Sequence, residues 1–579
     1  MINFAFRLAF GGLALAARRA KANFLRQGKR MAAVQAFFLR SLLHVHRDTE
    51  FGQHYGFADI LANPDPVAAF RQRVPVQPYP VFKPYIERMA EGETNVLTAD
   101  PLIYFNMTSG STSQKKLIPV TWRSRQAIAR ANQVAMGFVI EAAQRRGVPL
   151  GKMLFTSQSQ AYGMTPSGIP YGPVSTSDLR LMNPLARLVF AYPFAALQIT
   201  DSPSRHYVCL LFALRNPHLR MVSATFPVLG LQLVDYLEKF SEQLIEDMET
   251  GTLADWLQID PELRQKLTQR WAAQPQRAAQ LRQIFQQQGR LTPILAWPHL
   301  SFITTARGGT SNFYLERFPE FFGDTPVFGG TYSCAEATFG VHRDFNTDSV
   351  YPALETSFIE FIPESEWEAD QPTTVLPSEV TVGDRYRIVV SNYSGFYRYD
   401  VGDVVEIAGF HGAMPHFTFR HRRGGMISST TEKTTEFHVS QVMQILQQKL
   451  GVKLTNFCIT LSDDQIPAHY LVNIEVAPGS TLKNPTEFLN QFDHTLKEIH
   501  ASYAFKRADV VPPPHLRILA PGSFETVRQR LIQRGATAAQ IKFPLVSENR
   551  QLLADLTILQ EIEMSDRPTS SIPPAETSG

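Results

Sequence analysis

The chain of 579 residues has 56 basic and 53 acidic residues, and 44% of its residues are hydrophobic. This composition is typical of a globular protein and excludes a disordered or collagen-like chain. The three cysteines, Cys209, Cys334 and Cys458, are too few for a disulfide framework and lack the spacing of a zinc site, which favours a reducing compartment.

Basic charge is concentrated at the N-terminus. Residues 1–47 contain nine basic and no acidic residues, which leaves 47 basic and 53 acidic residues in the rest of the chain. The body therefore lacks the overall basic charge expected of a nucleic-acid-binding protein, and we expect no nucleic-acid partner.

An uncharged, mostly apolar run from Leu8 to Ala17 lies between Arg7 and the pair Arg18-Arg19. A membrane-spanning helix needs about twenty residues, so we expect no transmembrane segment. The leading interpretation is an amphipathic helix that packs on the body with its arginines in water. The alternatives are a surface helix in weak contact with an anionic membrane and a cleaved secretory signal.

Periodicity and turn residues predict the elements that follow. Residues 31–90 are interpreted as helical and then loop-rich, because prolines punctuate their second half. We expect a helix over Ser124 to Arg146 and a strand over Arg385 to Asn392. Pro275 is expected to interrupt a helical stretch at 261–288.

A cleaner alternation of helices and strands begins after residues 415–430. Glu436 to Leu450 is predicted to be a helix that stops at Gly451, and Asn484-Pro485 is a typical helix start. Two alternating strands lie between these helices, giving an α-β-β-α order. We predict a compact C-terminal domain of about 140 residues and a disordered tail rich in Ser, Thr and Pro.

The segment Met107 to Lys116, MTSGSTSQKK, is rich in Ser, Thr and Gly and ends in two lysines. Small residues let the backbone approach an anion closely, while hydroxyl and ammonium groups donate to phosphate oxygens. The spacing is not that of a Walker A motif. Taken alone, the segment is compatible with phosphate binding or with a solvated turn.

A second segment, Gly329 to Glu336 (GGTYSCAE), joins a glycine turn to an aromatic residue and a carboxylate. Tyr332 is suited to pack against a flat base, and Glu336 is suited to hold a hard cation such as Mg2+. The alternative is a turn that leads into a buried strand, in which Glu336 is paired with another group for a structural reason.

A third segment, Gly395 to Val405, has the sequence GFYRYDVGDVV. Asp403 follows Gly402, and an acidic residue held after a glycine can accept two hydrogen bonds from ribose hydroxyls. A turn between strands with a salt bridge is the alternative. None of the three motifs is decisive alone.

Together, and in this order, the motifs resemble those of adenylate-forming enzymes. Within that superfamily they are most similar to the auxin-responsive promoter (Gretchen Hagen) family of acyl-acid amido synthetases. The likeness covers roughly residues 40 to 550. It includes Thr49–Gly52, Phe70–Tyr79, Leu117–Pro119, Gly168–Gly172 and Gly535–Pro544.

The resemblance implies an α/β fold: a large N-terminal adenylate-forming domain with mixed sheets and helices, and a smaller, mobile α+β C-terminal domain. With the composition, it predicts a basic N-terminal helical segment at 1–47, an adenylation domain at 48–420, a C-terminal lid domain at 421–564 and a disordered tail at 565–579.

The resemblance also implies a function. ATP, with Mg2+, would activate a carboxylic acid as an acyl-adenylate, and an amino acid would then form an amide. The alternatives are an acyl-CoA or other thioester-forming ligase and a nucleotide-binding protein without catalysis. We expect a monomer, and a cytoplasmic location because ATP is a cytosolic substrate.

Site roles follow from the same resemblance. The loop residues Ser109, Gly110, Ser111 and Thr112 would hold the phosphates. Lys116 would be the catalytic loop lysine. Tyr332 would lie near adenine, Glu336 would bind Mg2+, and Asp403 would hold the ribose.

Further roles fall near the C-terminal domain. Lys542 matches the lysine that reaches the active site during adenylation, although a surface lysine near a helix end is the alternative. The cluster Arg420, Arg422 and Arg423 matches the hinge, with Arg422 as a nucleotide-binding candidate. Gly424-Gly425 would permit the swing of the domain. A solvated basic strand end is the alternative.

The chain departs from the family pattern at several positions. Ser113, Lys115 and Asp400 stand where Gly, Pro and Arg are frequent, and Cys334-Ala335 replaces small hydroxyl residues. Cys334 is expected to be a packed thiol, with a reactive thiol beside the nucleotide as the alternative. These changes remove any guide to substrate choice.

The acid pocket is predicted to draw on Ser157 to Ser177, with Tyr162, Tyr171 and Ser175 as candidate side chains. The residues do not identify the acid or the amine.

Overall fold

The computed structural model describes residues 2–108, 116–309, 311–422, 425–429, 432–464, 467–507, 511–533 and 541–564. The chain divides into two compact units, Met1–Arg420 and His421–Gly579, called here the N-terminal and the C-terminal unit. Within the described residues, none of the helices combines the length and the apolar character that crossing a bilayer requires.

Helices make up much of the N-terminal unit. The α-helices are α1 (Ile2–Gly28), α2 (Met31–His46), α3 (Glu50–His54), α4 (Phe57–Ala62), α5 (Pro66–Arg73), α6 (Tyr79–Ala90), α7 (Trp122–Arg145), α8 (Val174–Arg180), α9 (Ser202–Leu214), α10 (Pro227–Lys239), α11 (Ser241–Thr250), α12 (Pro261–Thr268), α13 (Pro275–Gln288), α14 (Pro293–Ala296), α15 (Ser311–Leu315) and α16 (Phe318–Phe322). Short 3-10 helices lie at Ala186–Val189, Phe194–Gln198 and Glu364–Glu366.

The described strands of this unit form three sheets, and the last of these strands, β15, runs two residues into the C-terminal unit. The strands are β1 (Leu102–Thr108), β2 (Lys116–Thr121), β3 (Met153–Leu154), β4 (Gly163–Met164), β5 (Pro170–Gly172), β6 (Met221–Ser223), β7 (Phe302–Thr304), β8 (Val327–Phe328), β9 (Thr331–Ser333), β10 (Thr338–His342), β11 (Ser349–Pro352), β12 (Phe358–Pro363), β13 (Arg385–Ser391), β14 (Tyr399–His411) and β15 (Met414–Arg422). The orders are β2-β1-β5-β4, β3-β6-β7-β8 and β12-β13-β14-β15-β11-β10-β9. The second sheet is parallel.

The C-terminal unit is built around one mixed sheet. Its helices are α17 (Glu436–Leu450), α18 (Pro485–Ile499), α19 (Ala501–Arg507) and α20 (Ser523–Gln533). Its strands are β16 (Met426–Ile427), β17 (Thr434–Thr435), β18 (Leu454–Leu461), β19 (Tyr470–Val476), β20 (His515–Leu519), β21 (Val546–Ser547) and β22 (Ile558–Glu563). The five-stranded sheet has the order β21-β18-β19-β20-β22.

The clearest sequence predictions are confirmed. Helix α7 occupies the stretch predicted around Ser124 to Arg146. Helix α17 ends at Gly451, whose φ of 62° is the left-handed conformation that favours glycine. The Asn484 side chain accepts a hydrogen bond from the Glu487 amide at the start of α18. With β18 and β19 between these helices, the α-β-β-α order is present.

The interpretation of the proline-rich stretch was wrong. The second half of residues 31–90 contains α5 and α6 rather than mainly loop. Pro66 and Pro80 lie in the first turns of these helices, where the missing amide proton has no intrahelical acceptor. Pro275 also begins a helix, after the predicted break that follows α12.

The first described helix packs on the body through its second half. Helix α1 approaches α7 so closely that a Cβ at Gly137 would overlap the Ala17 carbonyl. Phe24 meets Phe138 edge to face at 6.2 Å, and Lys21 pairs with Glu141.

An aromatic core holds the stretch that leads to Asp403. The Tyr397 ring stacks on Phe51 at 4.8 Å and meets Phe57 at 5.1 Å. The Tyr397 hydroxyl donates to the Leu97 carbonyl at 2.8 Å. These contacts join α3 and α4 to the residues that enter β14.

His46, at the end of α2, makes stability depend on pH. Its ring is buried, Nδ1 accepts from the Ala99 amide at 3.0 Å, and Nε2 has no hydrogen-bond partner among the described residues. Burial lowers the pKa of His46 from 6.5 to about 4; Arg123 adds to this, and Asp100 opposes it.

Between these two pKa values only the unfolded chain binds the proton at His46. The free energy of unfolding should therefore fall by about 2 kcal/mol between pH 7 and pH 5 because of His46. Denaturant titrations of wild type and His46→Gln should show a shallower pH dependence in the variant. Exposed His54→Gln is the control, and parallel pH profiles for all three proteins would contradict this prediction.

Candidate active site

The second and third sequence motifs meet through one hydrogen bond. Tyr332, on β9, donates from its hydroxyl to Asp403 Oδ2, on β14, at 2.7 Å. Asp403 is buried and Tyr332 is half-buried. Strands β9 and β14 lie in the same antiparallel sheet, so the fold brings together two side chains that are 71 residues apart.

Glycines shape the backbone before both of these side chains. A Cβ at Gly329 would overlap the buried His342 ring, and Gly330 has a φ of 66°. Gly402 has a φ of 81°, and its amide donates to Asp400 Oδ1 at 2.9 Å. Both turns therefore require glycine for a physical reason.

Glu336 is buried beside the same sheet. Its Oε1 accepts from the Tyr399 hydroxyl at 3.2 Å, and its carbonyl accepts from Asn392 Nδ2 at 2.9 Å. Within the described residues, Glu336 forms no ion pair. A buried carboxylate without a cationic side chain is well suited to a bound cation.

The residues near Glu336 fit a Mg2+ ion that is held by one protein carboxylate. No group of three or more His, Cys, Asp or Glu side chains that could hold a metal occurs among the described residues. Magnesium in nucleotide sites uses one or two carboxylates together with substrate phosphates and water. A single carboxylate is therefore sufficient, and Glu336 can supply it.

Lys116, the first residue of β2, packs on an aromatic ring of α6. Its Nζ lies 4.9 Å from the centre of the Tyr79 ring. The Tyr79 hydroxyl donates to the Leu117 carbonyl at 2.9 Å and accepts from the Leu117 amide at 3.1 Å. Burial, opposed by the Leu117 bond and reinforced by Glu336, raises the pKa of Tyr79 to about 12. Tyr79 thus packs beside Lys116 and lies within electrostatic range of Glu336.

The loop that precedes Lys116 lies outside the described residues. This includes the predicted phosphate contacts Ser109, Gly110, Ser111 and Thr112, and the departures Ser113 and Lys115.

Asn106 links the Glu336 segment to the predicted acid pocket. Its Oδ1 accepts from Ser177 Oγ, in α8, at 2.9 Å, and its Nδ2 donates to the Ala335 carbonyl at 3.5 Å. Asn106 is itself buried. Helix α8 is therefore tied to the residue before Glu336.

The other pocket candidates lie near α8 in the chain. The Tyr162 amide donates to the Tyr171 carbonyl at 2.9 Å, where β4 and β5 pair. Strand β5 in turn pairs with β1. Ser175 is a half-buried residue of α8.

A buried arginine holds the approach to Asp403. Arg398 donates to both carboxylate oxygens of Glu360, at 3.0 and 3.1 Å, and to the Val74 carbonyl at 2.7 Å. Its φ of 49° is unusual for a residue with a side chain. Asp400, two residues on, forms a 3.7 Å ion pair with Arg387.

Lys542 belongs to the C-terminal unit. It is exposed, whereas its neighbours Ile541 and Phe543 are buried in a cluster with Cys458 and Phe524. The two flanking anchors therefore hold the backbone while the lysine faces solvent.

The predicted basic cluster is divided between the units. Arg420 belongs to the N-terminal unit and donates twice to Glu406, at 2.8 and 3.1 Å. Arg422, in the C-terminal unit, is exposed, and its carbonyl accepts from the Gly425 amide at 3.1 Å. Arg423 and Gly424 lie outside the described residues.

The three cysteines are free thiols. Cys334 packs, partly buried, against the main core, and its amide donates to the Ala337 carbonyl at 2.8 Å. It therefore helps to shape the turn before Glu336.

Sequence reasoning did not identify Tyr79, Asn106, Asn392 and Tyr399 as site residues. Each lay beside a recognised signal, however. Tyr79 ended one of the family-like segments, and Tyr399 stood inside the third motif. Their contacts depend on pairing between distant parts of the chain, which local patterns do not show.

Three family models match the chain in order. They are the GH3 family N-terminal domain at residues 20–327, the GH3 family central domain at 350–422 and the GH3 family C-terminal domain at 437–551. The chain belongs to the GH3 family. The resemblance to the Gretchen Hagen family drawn from the motifs is thereby confirmed.

Curated relatives are similar over most of their length. The chain is 28% identical over 539 residues to a probable indole-3-acetic acid-amido synthetase GH3.1 of Oryza sativa subsp. japonica, covering 88% of this chain and 86% of the relative. It is 24% identical over 540 residues to the indole-3-acetic acid-amido synthetase GH3.3 of Arabidopsis thaliana, covering 88% of each.

Solved structures share the fold. A GH3.15 acyl acid amido synthetase matches with a TM-score of 0.82 at 22% identity, covering 94% of this chain and 97% of that one. A 2-hydroxyisobutyryl-CoA ligase in complex with 2-HIB-AMP matches with a TM-score of 0.53 at 12% identity, covering 90% of each. The predicted fold class, in which helices and mixed sheets form a large N-terminal and a smaller C-terminal domain, is confirmed.

Proposed function

We propose that the protein is an ATP-dependent acyl-acid amido synthetase. The observation that carries this proposal is the hydrogen bond between Tyr332 and Asp403 in a GH3-family chain, with the buried Glu336 bonded to Tyr399 of the same sheet. The amido synthetase activity named for the curated relatives supports it.

ATP would be held by Asp403, Tyr332 and Glu336. Asp403 Oδ1 and Oδ2 can accept from the ribose hydroxyls, and the Tyr332 hydroxyl orients that carboxylate. The Tyr332 ring would lie near adenine. Glu336 would hold Mg2+, which supplies positive charge to the phosphate oxygens when it is bound.

The first step forms an acyl-adenylate. A carboxylate oxygen of the acid attacks the α-phosphorus of ATP, an O–P bond forms, and the bond to the β-phosphate bridging oxygen breaks to release pyrophosphate. Negative charge grows on the phosphate oxygens, where lysine ammonium groups and fixed donors stabilise it. We assign this role to Lys116 and Lys542, with the loop 109–112 as the phosphate cradle.

The second step forms the amide. The amine of an amino acid attacks the carbonyl carbon of the adenylate, a C–N bond forms, the C–O bond to phosphate breaks, and AMP leaves with the loss of the amine proton. A swing of the C-terminal domain about residues 420–425, with Arg422 beside the nucleotide, would exchange the two geometries. The acid would lie near α8, with Tyr162, Tyr171 and Ser175 as contacts.

Adenylation is tested by ATP–pyrophosphate exchange. The acid panel includes indole-3-acetic acid, which the names of the curated relatives contain, and 2,4-DB, the compound named for a GH3.15 complex. We expect exchange that depends on acid and on Mg2+. ATP binding without exchange across the panel would favour the non-catalytic alternative.

Asp403→Ala is expected to weaken ATP binding by about 10- to 100-fold, because two charge-assisted hydrogen bonds to ribose are lost. Tyr332→Phe should have a smaller effect, since it removes only the bond that orients the carboxylate. Calorimetry with ATP measures both, and exposed Asp370→Ala is the control. Unchanged affinity in Asp403→Ala would contradict the nucleotide assignment.

A cytoplasmic location and a monomeric state complete the proposal. Supply of ATP and three free thiols both suit a reducing, ATP-containing compartment.

A further inference from the structure

Helix α1 begins well before the first of its residues that is buried. Among residues 11–28, whose burial the structure describes, Ala17 is the first buried one, and it lies against Gly137 of α7. Residues 11–16 are exposed or half-buried; a Cβ at Gly11 or Gly12 would meet no atom within 4 Å. The backbone is helical from Ile2, so about 20 Å of helix precedes Ala17.

Residues 2–16, which form the part of α1 before Ala17, are mostly apolar. Residues 2–16 include four aromatic or large aliphatic residues before Phe10 and contain a single charge, Arg7. Leu13 and Leu15 are 41% and 50% exposed. An isolated helix of this length and composition is at most marginally stable without a surface on which to bury its apolar side chains.

Basic residues accompany the apolar extension. Arg18, Arg19, Arg26, Lys29 and Arg30 are all exposed. None of them forms an ion pair within the part of the chain that the structure describes. No acidic residue occurs before Asp48, so nothing on the segment opposes this charge.

We propose that residues 2–16 of α1 dock on the surface of an anionic membrane. An apolar helix with arginines at its flank is typical of interfacial anchors, which lie in the headgroup region. Each lysine or arginine near an anionic leaflet strengthens binding by about fivefold. A second copy of the chain is a poorer occupant, because two such segments carry like charges and repel.

The test is flotation of the full chain with vesicles. One set contains only phosphatidylcholine, and the other contains equal parts of phosphatidylcholine and phosphatidylglycerol. Wild type should float with the mixed vesicles and stay largely unbound with the neutral ones, and added salt should weaken its binding.

Two double variants separate the apolar and electrostatic contributions. Leu13→Asp/Leu15→Asp should lower partition to mixed vesicles by about tenfold or more, through lost apolar contact and added negative charge. Arg18→Gln/Arg19→Gln should lower it by about tenfold or more. Val382→Asp/Leu559→Asp introduces two aspartates at sites that are 54% and 61% exposed, and should bind like wild type.

Several results would overturn the proposal. These are absence of wild-type binding to mixed vesicles, equal binding to neutral vesicles, or equal binding of the Leu13/Leu15 variant. A dimer in light scattering that this variant converts to a monomer would identify a second copy as the occupant instead. Thermal unfolding confirms that each variant is folded, and neither this control nor flotation depends on the amido synthetase proposal.

Discussion

Replacing Lys542 by alanine should slow acyl-adenylate formation by about 10²- to 10³-fold while changing ATP affinity by less than about threefold. The reason is that the proposed contact forms with charge that grows on the α-phosphate during the reaction. Lys542 is exposed between two buried anchors, Ile541 and Phe543, so the substitution leaves the packed cluster unchanged. Single-turnover release of pyrophosphate measures the rate, and calorimetry measures the affinity.

Two variants sharpen this result. Lys483→Ala removes another exposed lysine of the C-terminal unit and should behave like wild type. Lys542→Arg keeps the charge but changes its geometry, and should recover part of the rate. If Lys542→Ala adenylates the acid as fast as wild type, Lys542 has no role in this step.

Replacing Arg398 by methionine should lower the free energy of unfolding by about 3 to 5 kcal/mol. Glu360 would then remain fully buried without its bidentate partner, although Arg71 lies 3.4 Å from it and Thr374 Oγ1 donates to it at 2.6 Å. Two backbone carbonyls, of Arg71 and Val74, would also lose a donor. Chemical denaturation measures the change.

The double variant Arg398→Met/Glu360→Leu tests the cause. Removing both charges leaves no uncompensated carboxylate, so the double variant should be more stable than Arg398→Met alone. Arg73→Met is the control, because its ion pair with Asp59 is exposed and should contribute less than about 1 kcal/mol. A double variant that is less stable than Arg398→Met would show that the loss comes from packing rather than from the buried charge.

The elements that could be predicted well from the sequence are those defined by helix caps and by the spacing of apolar residues. Helix α17 was predictable because its apolar spacing ends at Gly451, and α18 because Asn484 can accept from the amide at Glu487. Each of these signals lies within a few residues of the element that it defines. Such interactions depend little on the rest of the chain.

The proline-rich stretch shows where local signals mislead. Proline ends a helix when it lies inside it but is well accommodated in the first turn. Pro84 even lies inside α6, where the buried Tyr79, Phe82 and Ile86 pack the helix against the core. Tertiary packing there outweighs the local cost of the proline.

The residues of the candidate site could be named from their type and from the family likeness. The contacts between them could not be predicted. Tyr332, Glu336 and Asp403 were named from the motifs, whereas Asn106 and Tyr79 were not. The Asn106 amide bridges residues 71 and 229 positions away. Contacts at such separations depend on sheet order, which the pattern of one sequence does not contain.

The proposed reaction joins an acid to an amino acid through an adenylate. The most direct measurement is mass spectrometry of the products formed when ATP, Mg2+, an acid that supports exchange, the amino acids and CoA are present together. We predict AMP and an acyl–amino acid amide in equal amounts, with no thioester. An acyl-CoA product without amide would contradict the account and support the thioester-forming alternative.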